Sequence, residues 1–142
     1  DFGKGVLAVL LARQIIDSTA GEVTAGLAVL VGHNWPVFLG FRGGRGVMTA
    51  CGSLVVMAPM AAAFGALSFI PVTLFSRYLS LGSILGLVVT CLAMLGLGLA
   101  GVYSSGYTVF AFLASAVIIW QHRDNIRRIR EGSERRIGQP AS

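Results

Sequence analysis

The sequence predicts an all-α, polytopic membrane helix bundle, and three observations predict it. Charged residues make up only 12% of the chain against 55% hydrophobic residues, whereas a soluble domain carries charges on roughly a quarter of its positions. Apolar runs, bounded by charges or turn residues, recur along the whole length. The 19 glycines sit among Leu, Val and Ala without a triplet period. That pattern suits helices packed through small faces and excludes a collagen-like or disordered chain.

A length of 142 residues fits a single domain, 1–142. Six hydrophobic segments are expected within it: Val6–Ile16, Val23–Phe41, Val47–Ala58, Met60–Phe75, Leu81–Gly101 and Tyr103–Gln121. No charge separates the third from the fourth. Fused, they would run for about 29 residues, roughly 43 Å at 1.5 Å per residue, against a hydrocarbon core of ~30 Å. Pro59 lies near the middle, where it removes a helix hydrogen bond and clashes with the preceding turn. Two short helices are therefore expected.

Charge placement supports the same count. If six segments alternate, Lys4, Arg42, Arg45, Arg77 and the arginines of the tail all fall at one end, leaving Arg13 near the other with Asp17 and Glu22. The positive-inside rule makes the basic end cytoplasmic. Residues 122–142 form a basic cytoplasmic tail, expected to continue the last helix along the interface before it frays at Gly138-Gln139-Pro140. Membrane lipid is the surrounding partner, and no nucleic-acid partner is expected. The first apolar run is shorter than the ~20 residues of a full span, so the expectation is that the chain starts inside a helix and that sequence precedes it.

Cys51 and Cys91 lie in apolar runs and read as small buried hydrophobes. His33 and His122 have no second ligand at metal spacing, so neither a metal nor a cofactor is expected. There is no G-x-S-x-G elbow, no Walker loop and no paired intramembrane carboxylate. His-x4-Asp is also absent, since Phe38 and Arg127 stand five residues after the two histidines.

Two stretches could carry chemistry. In Gly32-His33-Asn34-Trp35-Pro36-Val37-Phe38-Leu39-Gly40-Phe41-Arg42-Gly43-Gly44-Arg45-Gly46-Val47 a glycine-rich loop leads straight into a helix. Glycines let backbone N–H groups converge, a helix start adds unpaired N–H groups, and Arg42 and Arg45 fit phosphate oxygens bidentately. An anion site is one reading; an ordinary positive-inside turn is the other. His33 either serves that site or bonds a carbonyl freed by Pro36. In the second stretch, from Trp120 to Arg128, His122 and Asn125 stand three apart on one helix face and can serve an oxyanion. Alternatively they flank a polybasic segment that binds anionic lipid.

These stretches resemble the bacterial acyl-phosphate:glycerol-3-phosphate acyltransferases, the PlsY family. Gly32-His33-Asn34-Trp35-Pro36-Val37-Phe38 through Gly40-Phe41-Arg42-Gly43-Gly44-Arg45-Gly46-Val47-Met48-Thr49 is similar to the family's second signature. His122-Arg123-Asp124-Asn125-Ile126 with Gly132-Ser133-Glu134-Arg135-Arg136 resembles the third. Asp1-Phe2-Gly3-Lys4-Gly5 and Arg77-Tyr78-Leu79-Ser80 resemble shorter family motifs, in the family's order.

The resemblance implies a seven-helix membrane enzyme with a cytoplasmic active site. It would transfer a fatty acyl group from acyl phosphate to the 1-hydroxyl of glycerol 3-phosphate, giving lysophosphatidic acid and phosphate. It also implies Arg45, His122 and Asn125 as catalytic residues, and Arg42, Gly43, Gly44, Arg45, Gly46, His33 and Arg123 as phosphate-binding residues. Arg45 stands where the family usually has Lys. The attacking hydroxyl's proton would pass to His122 or to a substrate phosphate. The family's first helix and its first, Gly-Ser-Gly-Asn-containing loop have no counterpart, so an N-terminally shortened member, inactive alone, is expected. Competing readings are a small anion channel or transporter using the same Gly/Arg loop, and a polybasic membrane anchor.

Overall fold

The structure, a computed structural model, describes residues 1–36 and 43–140. Among these residues it contains helices and no strand. Six apolar helices, α1 (Phe2–Ile15), α2 (Thr19–Asn34), α3 (Val47–Met57), α4 (Pro59–Ser76), α5 (Leu79–Leu99) and α6 (Ser105–Gln121), correspond to the six expected segments, and a short polar helix, α7 (Arg123–Arg130), follows.

The helix ends follow local chemistry. α2 begins four residues before the expected segment because Ser18 caps it, accepting from the Gly21 N–H at 3.0 Å, so that polar first-turn residues belong to the helix. It stops at Asn34, with Trp35 leaving the helical region ahead of Pro36, as the residue before a proline prefers. The remainder of that expected segment, 37–41, lies outside the described residues together with Arg42. The break between the third and fourth segments occurs as expected: Ala58 is non-helical and Pro59 opens α4, where its missing N–H costs nothing. The tail differs from expectation. Rather than continuing α6, the chain turns at His122 (φ −92°, ψ 3°) and restarts as α7.

Two helices, α4 and α5, are long and apolar enough to cross a membrane, with mean hydropathies of 1.5 and 2.2. α3 is far shorter. Its 11 residues cover about 16 Å, so its N-terminus, and the turn before it, lie within the depth of the bundle.

Side-chain bonds fix the helix directions. Arg13, near the end of α1, grips Glu22 at the start of α2 with two bonds (3.0 and 2.8 Å) and donates to the Val56 carbonyl near the end of α3 (3.1 Å). Tyr107, at the start of α6, donates to the same Glu22 (2.8 Å), and the Tyr103 hydroxyl accepts from the Met60 N–H at the start of α4 (3.2 Å). The six helices thus alternate in direction, with Arg13 at the end away from the tail.

Close approach depends on glycine. A Cβ on Gly5 would collide with the Thr49 carbonyl, one on Gly52 with the Phe2 carbonyl, and one on Gly65 with the Thr90 hydroxyl, so α1–α3 and α4–α5 pack backbone against backbone. Val9, Leu30, Met94, Phe110 and Ile118 fill the centre.

The Glu22 side chain is only 8% exposed, whereas Arg13 is 38% exposed. Removing one member of a buried pair costs about 3–5 kcal/mol, and solvent at Arg13 reduces this. Glu22→Gln is expected to lower stability by about 2 kcal/mol, and Tyr107→Phe by about 1 kcal/mol, measured by thermal unfolding in detergent.

Candidate functional site

At the tail end of the bundle, three stretches far apart in sequence meet around one carboxylate. Glu134 accepts from the Ser80 hydroxyl at the start of α5 (2.6 Å), from the Asn125 side-chain amide on α7 (2.6 Å) and from Arg128 Nε (2.8 Å). Burial raises the Glu134 carboxyl, but these three donors outweigh it and hold its pKa below the ordinary carboxylate value. The tail is tied down further by the Ile137 N–H on the Arg77 carbonyl (2.8 Å) and by Arg77 itself on the Ile137 carbonyl (2.7 Å). Arg77 can turn back this way because it takes the left-handed conformation (φ 62°). Arg136 donates to the Tyr78 hydroxyl (3.1 Å) and stacks over its ring at 5.3 Å.

The result is an open cleft of ≈ 510 Å³ whose walls include Arg45, Ser80, Asn125, Arg128, Glu134 and Arg136. Arg135 also lines it, so four arginines border a cleft whose one carboxylate is already paired with Arg128. Such a surplus of planar cations favours an anion with several oxygens.

Gly43, Gly44 and Gly46 shape the turn that carries Arg45. A Cβ on Gly43 would collide with the His33 carbonyl, and one on Gly44 with His33 Nε2. Gly46 caps α3 in the left-handed conformation (φ 80°), with no side-chain cap on the helix. Among the described residues no side chain caps the first N–H groups of α3, which follow directly on Arg45 as donors.

His122 lies behind the cleft, 1% exposed. Its Nδ1 is 2.8 Å from the Ile118 carbonyl oxygen. A carbonyl only accepts, so Nδ1 carries the proton and Nε2 keeps its lone pair. Burial pushes the imidazole below its ordinary pKa. The Ile118 bond opposes this, the charge of Arg45 adds to it, and Glu134 opposes it; the net direction is down.

The structure thus brings Arg45 and Asn125 into one cleft, sets His122 within electrostatic reach of it, and builds the turn from Gly43, Gly44 and Gly46. His33 sits beneath that turn, with Nδ1 3.5 Å from the Asp1 carboxylate, rather than on the cleft wall. Arg123 is not brought in: it folds back onto Trp120, donating to its carbonyl (3.0 Å) and stacking 5.2 Å from its ring. Arg42 lies outside the described residues. Sequence reasoning missed Ser80, Arg128, Glu134, Arg135 and Arg136 as site residues. Two of the quoted motifs contained four of them, but nothing in the spacing showed that the tail folds back onto α5.

One turn along α5 from Ser80, and two residues along from Arg45, an apolar groove of ≈ 230 Å³ begins. It runs between α3, α4, α5 and α6, with Val47 and Ser83 near the cleft and Leu54, Thr90 and Phe110 farther in.

An all-helical bundle with a polar anion cleft beside an apolar groove defines a membrane protein built to hold an amphiphile with a phosphate-like head. Comparison with known proteins makes this specific. Residues 1–132 match the model of the glycerol-3-phosphate acyltransferase family, and the chain belongs to that family. It is 36% identical to a glycerol-3-phosphate acyltransferase of Halalkalibacterium halodurans, over 97% of this chain and 68% of the relative. It is 42% identical to glycerol-3-phosphate acyltransferase 2 of Moorella thermoacetica, over 96% and 68%. The crystal structure of PlsY (YgiH), an integral membrane glycerol 3-phosphate acyltransferase, in its lysophosphatidic acid form, superposes with a TM-score of 0.86 at 37% identity, over 96% of this chain and 68% of that one. Its glycerol 3-phosphate form gives 0.84 at 38% identity, over 96% and 67%. The chain spans about two-thirds of the length of these relatives.

The turn yields a discriminating pair of variants. The Cβ added by Gly44→Ala meets only the His33 side chain, which can move, whereas that of Gly43→Ala meets the backbone of His33 and Asn34. Gly43→Ala should weaken binding of glycerol 3-phosphate at least about tenfold, a difference near 1.4 kcal/mol. Gly44→Ala should cost less, and His33→Ala should rescue Gly44→Ala but not Gly43→Ala, as read by titration calorimetry.

Proposed function

We propose that the protein transfers a fatty acyl group from acyl phosphate to the 1-hydroxyl of glycerol 3-phosphate, releasing lysophosphatidic acid and inorganic phosphate, as a step of phospholipid biosynthesis. The observation that carries this reading is the cationic cleft opening directly beside an apolar groove. Phosphate groups sit among Arg45, Arg128 and the first N–H groups of α3, and the acyl chain lies in the groove between α3 and α6. Burial of the chain contributes roughly 0.8 kcal/mol per methylene, and the phosphate end fixes where the reacting carbonyl stands.

Acyl phosphate is a mixed anhydride, so its leaving group needs little protonation. The glycerol 3-phosphate hydroxyl oxygen bonds to the acyl carbon, the carbon–oxygen bond to phosphate breaks, and the phosphate departs with the electron pair. Arg45, together with the Asn125 amide N–H not used by Glu134, stabilises the charge that develops. The hydroxyl proton passes to a substrate phosphate oxygen, or to His122 Nε2, left unprotonated by the Ile118 bond, where the bound hydroxyl comes within reach of it.

We read the chain as crossing the bacterial plasma membrane several times, with the cleft and C-terminus on the cytoplasmic side. The collection of Lys4, Arg45, Arg77 and the tail arginines at one end supports this sidedness. The fold and the relatives offer no support for the channel alternative.

The assay is phosphate release from palmitoyl phosphate plus glycerol 3-phosphate in liposomes. It is run on the chain alone and on chimeras completed with the part of the Moorella relative that the chain does not span. Turnover dependent on glycerol 3-phosphate supports the function; none in any form rejects it. In an active form, Arg45→Ala and Asn125→Ala should each lose most activity, about 10²-fold or more.

The acid limb of kcat/KM should lie below pH 6.5, the ordinary histidine value, because the pKa of His122 is lowered. The base is lost only as pH falls through that lowered value. The limb should disappear from the residual activity of His122→Ala, and a limb unchanged in that variant would remove His122 as the base.

A further inference from the structure

Beneath the Gly43–Gly46 turn lies a polar side chain that the reaction just described does not use. Asn34 ends α2 and is 2% exposed, yet among the described residues neither its Oδ1 nor its Nδ2 has a hydrogen-bond partner. A buried carboxamide with both ends unpaired is costly, and such groups are rare enough in native structures that each calls for a specific explanation, a functional role among them. The carboxamide points at the cap of α3: a Cβ on Gly46 would lie 2.6 Å from Oδ1 and 3.1 Å from Nδ2. That cap is also where α3 lacks a side-chain acceptor for its first N–H groups. An acceptor without a donor therefore sits beside donors without an acceptor. In the same first turn, the Thr49 hydroxyl is fully buried and likewise unpartnered.

We propose that Asn34 is a positioning residue for the phosphate turn: its carboxamide takes up the backbone of residues 43–47 when a phosphate group seats against Arg45, fixing the turn in its ligand-holding form. The inference rests on the acyltransferase reading for the identity of the phosphate compounds. A phosphate bound at Arg45 draws the outer N–H groups toward itself, and Asn34 satisfies the inner ones from below. Asn34 touches the substrate only through the turn. Glycerol 3-phosphate and acyl phosphate present the same chemistry to it, and measurement separates them.

The test replaces Asn34 by leucine, which has the same branched skeleton with two methyl groups for the amide and stands next to the Leu30 side chain that already contacts the space at Gly46. Removing an unpaired buried amide should leave the ligand-free melting temperature equal or higher. In the same protein, calorimetry should show about tenfold weaker binding of glycerol 3-phosphate, or of palmitoyl phosphate if that substrate occupies the turn. In a turnover-competent form, KM for that substrate should rise by the same factor while kcat stays within about twofold. Asn34→Ser, which keeps a hydrogen-bonding oxygen, should lie between parent and leucine variant, and it carries the comparison alone if Asn34→Leu does not fold.

Parental affinity for both phosphate substrates in the leucine variant, or in the serine variant when that stands alone, overturns the proposal while leaving the acyltransferase intact. A parent chain and chimeras that bind neither substrate overturn both.

Discussion

The site depends on one buried carboxylate. Four arginines around a single opening repel one another, and a tail carrying three of them would be driven outward unless a fixed negative charge stood among them. Glu134 is that charge. Its bonds to Ser80, Asn125 and Arg128 join the tail to α5 and α7 with charge-assisted hydrogen bonds, the stronger kind. They occupy three of its roughly four acceptor positions and pair its charge with Arg128, which weakens its competition with an anionic ligand for Arg45. Half of the Asn125 amide's donor capacity is spent on the carboxylate, and that fixes the orientation in which its remaining N–H is offered.

A second constraint acts at the opposite end. The Arg13–Glu22–Tyr107 cluster, with the Val56 carbonyl, clasps α1, α2, α3 and α6 far from the cleft. α3 is too short to reach through the bundle, so clasping its C-terminus sets the depth of its N-terminus. The glycine contacts between α1 and α3 then fix its sideways position. Arg45 is placed from below by the clasp and from the side by the tail, and neither device by itself holds both halves of the cleft.

Much of this was legible in the sequence, for identifiable reasons. The six apolar helices followed from charge-bounded runs, and the α3–α4 break from Pro59, because both depend on local chemistry. The start of α2 was misplaced since a capped first turn, Thr19 to Glu22, is polar and reads as loop in a search for apolar residues. α7 was merged with α6 because nothing in Gln121-His122-Arg123 marks a stop; at the turn the His122 side chain folds back onto the Ile118 carbonyl of its own helix, a local bond that the residue types do not announce. Arg123 and Arg128 look equivalent in sequence, yet one stacks on Trp120 and the other enters the cleft. The difference is set by which helix face meets the tail. Asn34 was equally hidden: its neighbour at the cap of α3 is twelve residues away, and only the fold shows its amide unpaired.

The join between cleft and groove explains how a small bundle could handle reactants of opposite solubility. Ser80 and Ser83, one turn apart on α5, stand on the two sides of that join, as do Arg45 and Val47 on the other wall. In the proposed reaction, an acyl phosphate laid across it would keep its chain among Leu54, Leu87 and Phe110 and its phosphate among arginines, so the bond to be broken would fall at the boundary. Cleavage there separates the fragments by solubility, since inorganic phosphate has no apolar part to hold it and the acyl carbon stays anchored. The surroundings of His122 suit the same boundary. Burial and the charge of Arg45 favour the neutral ring, the form that can accept a proton, and the same two influences disfavour the imidazolium that results, so a proton taken up there is readily passed on.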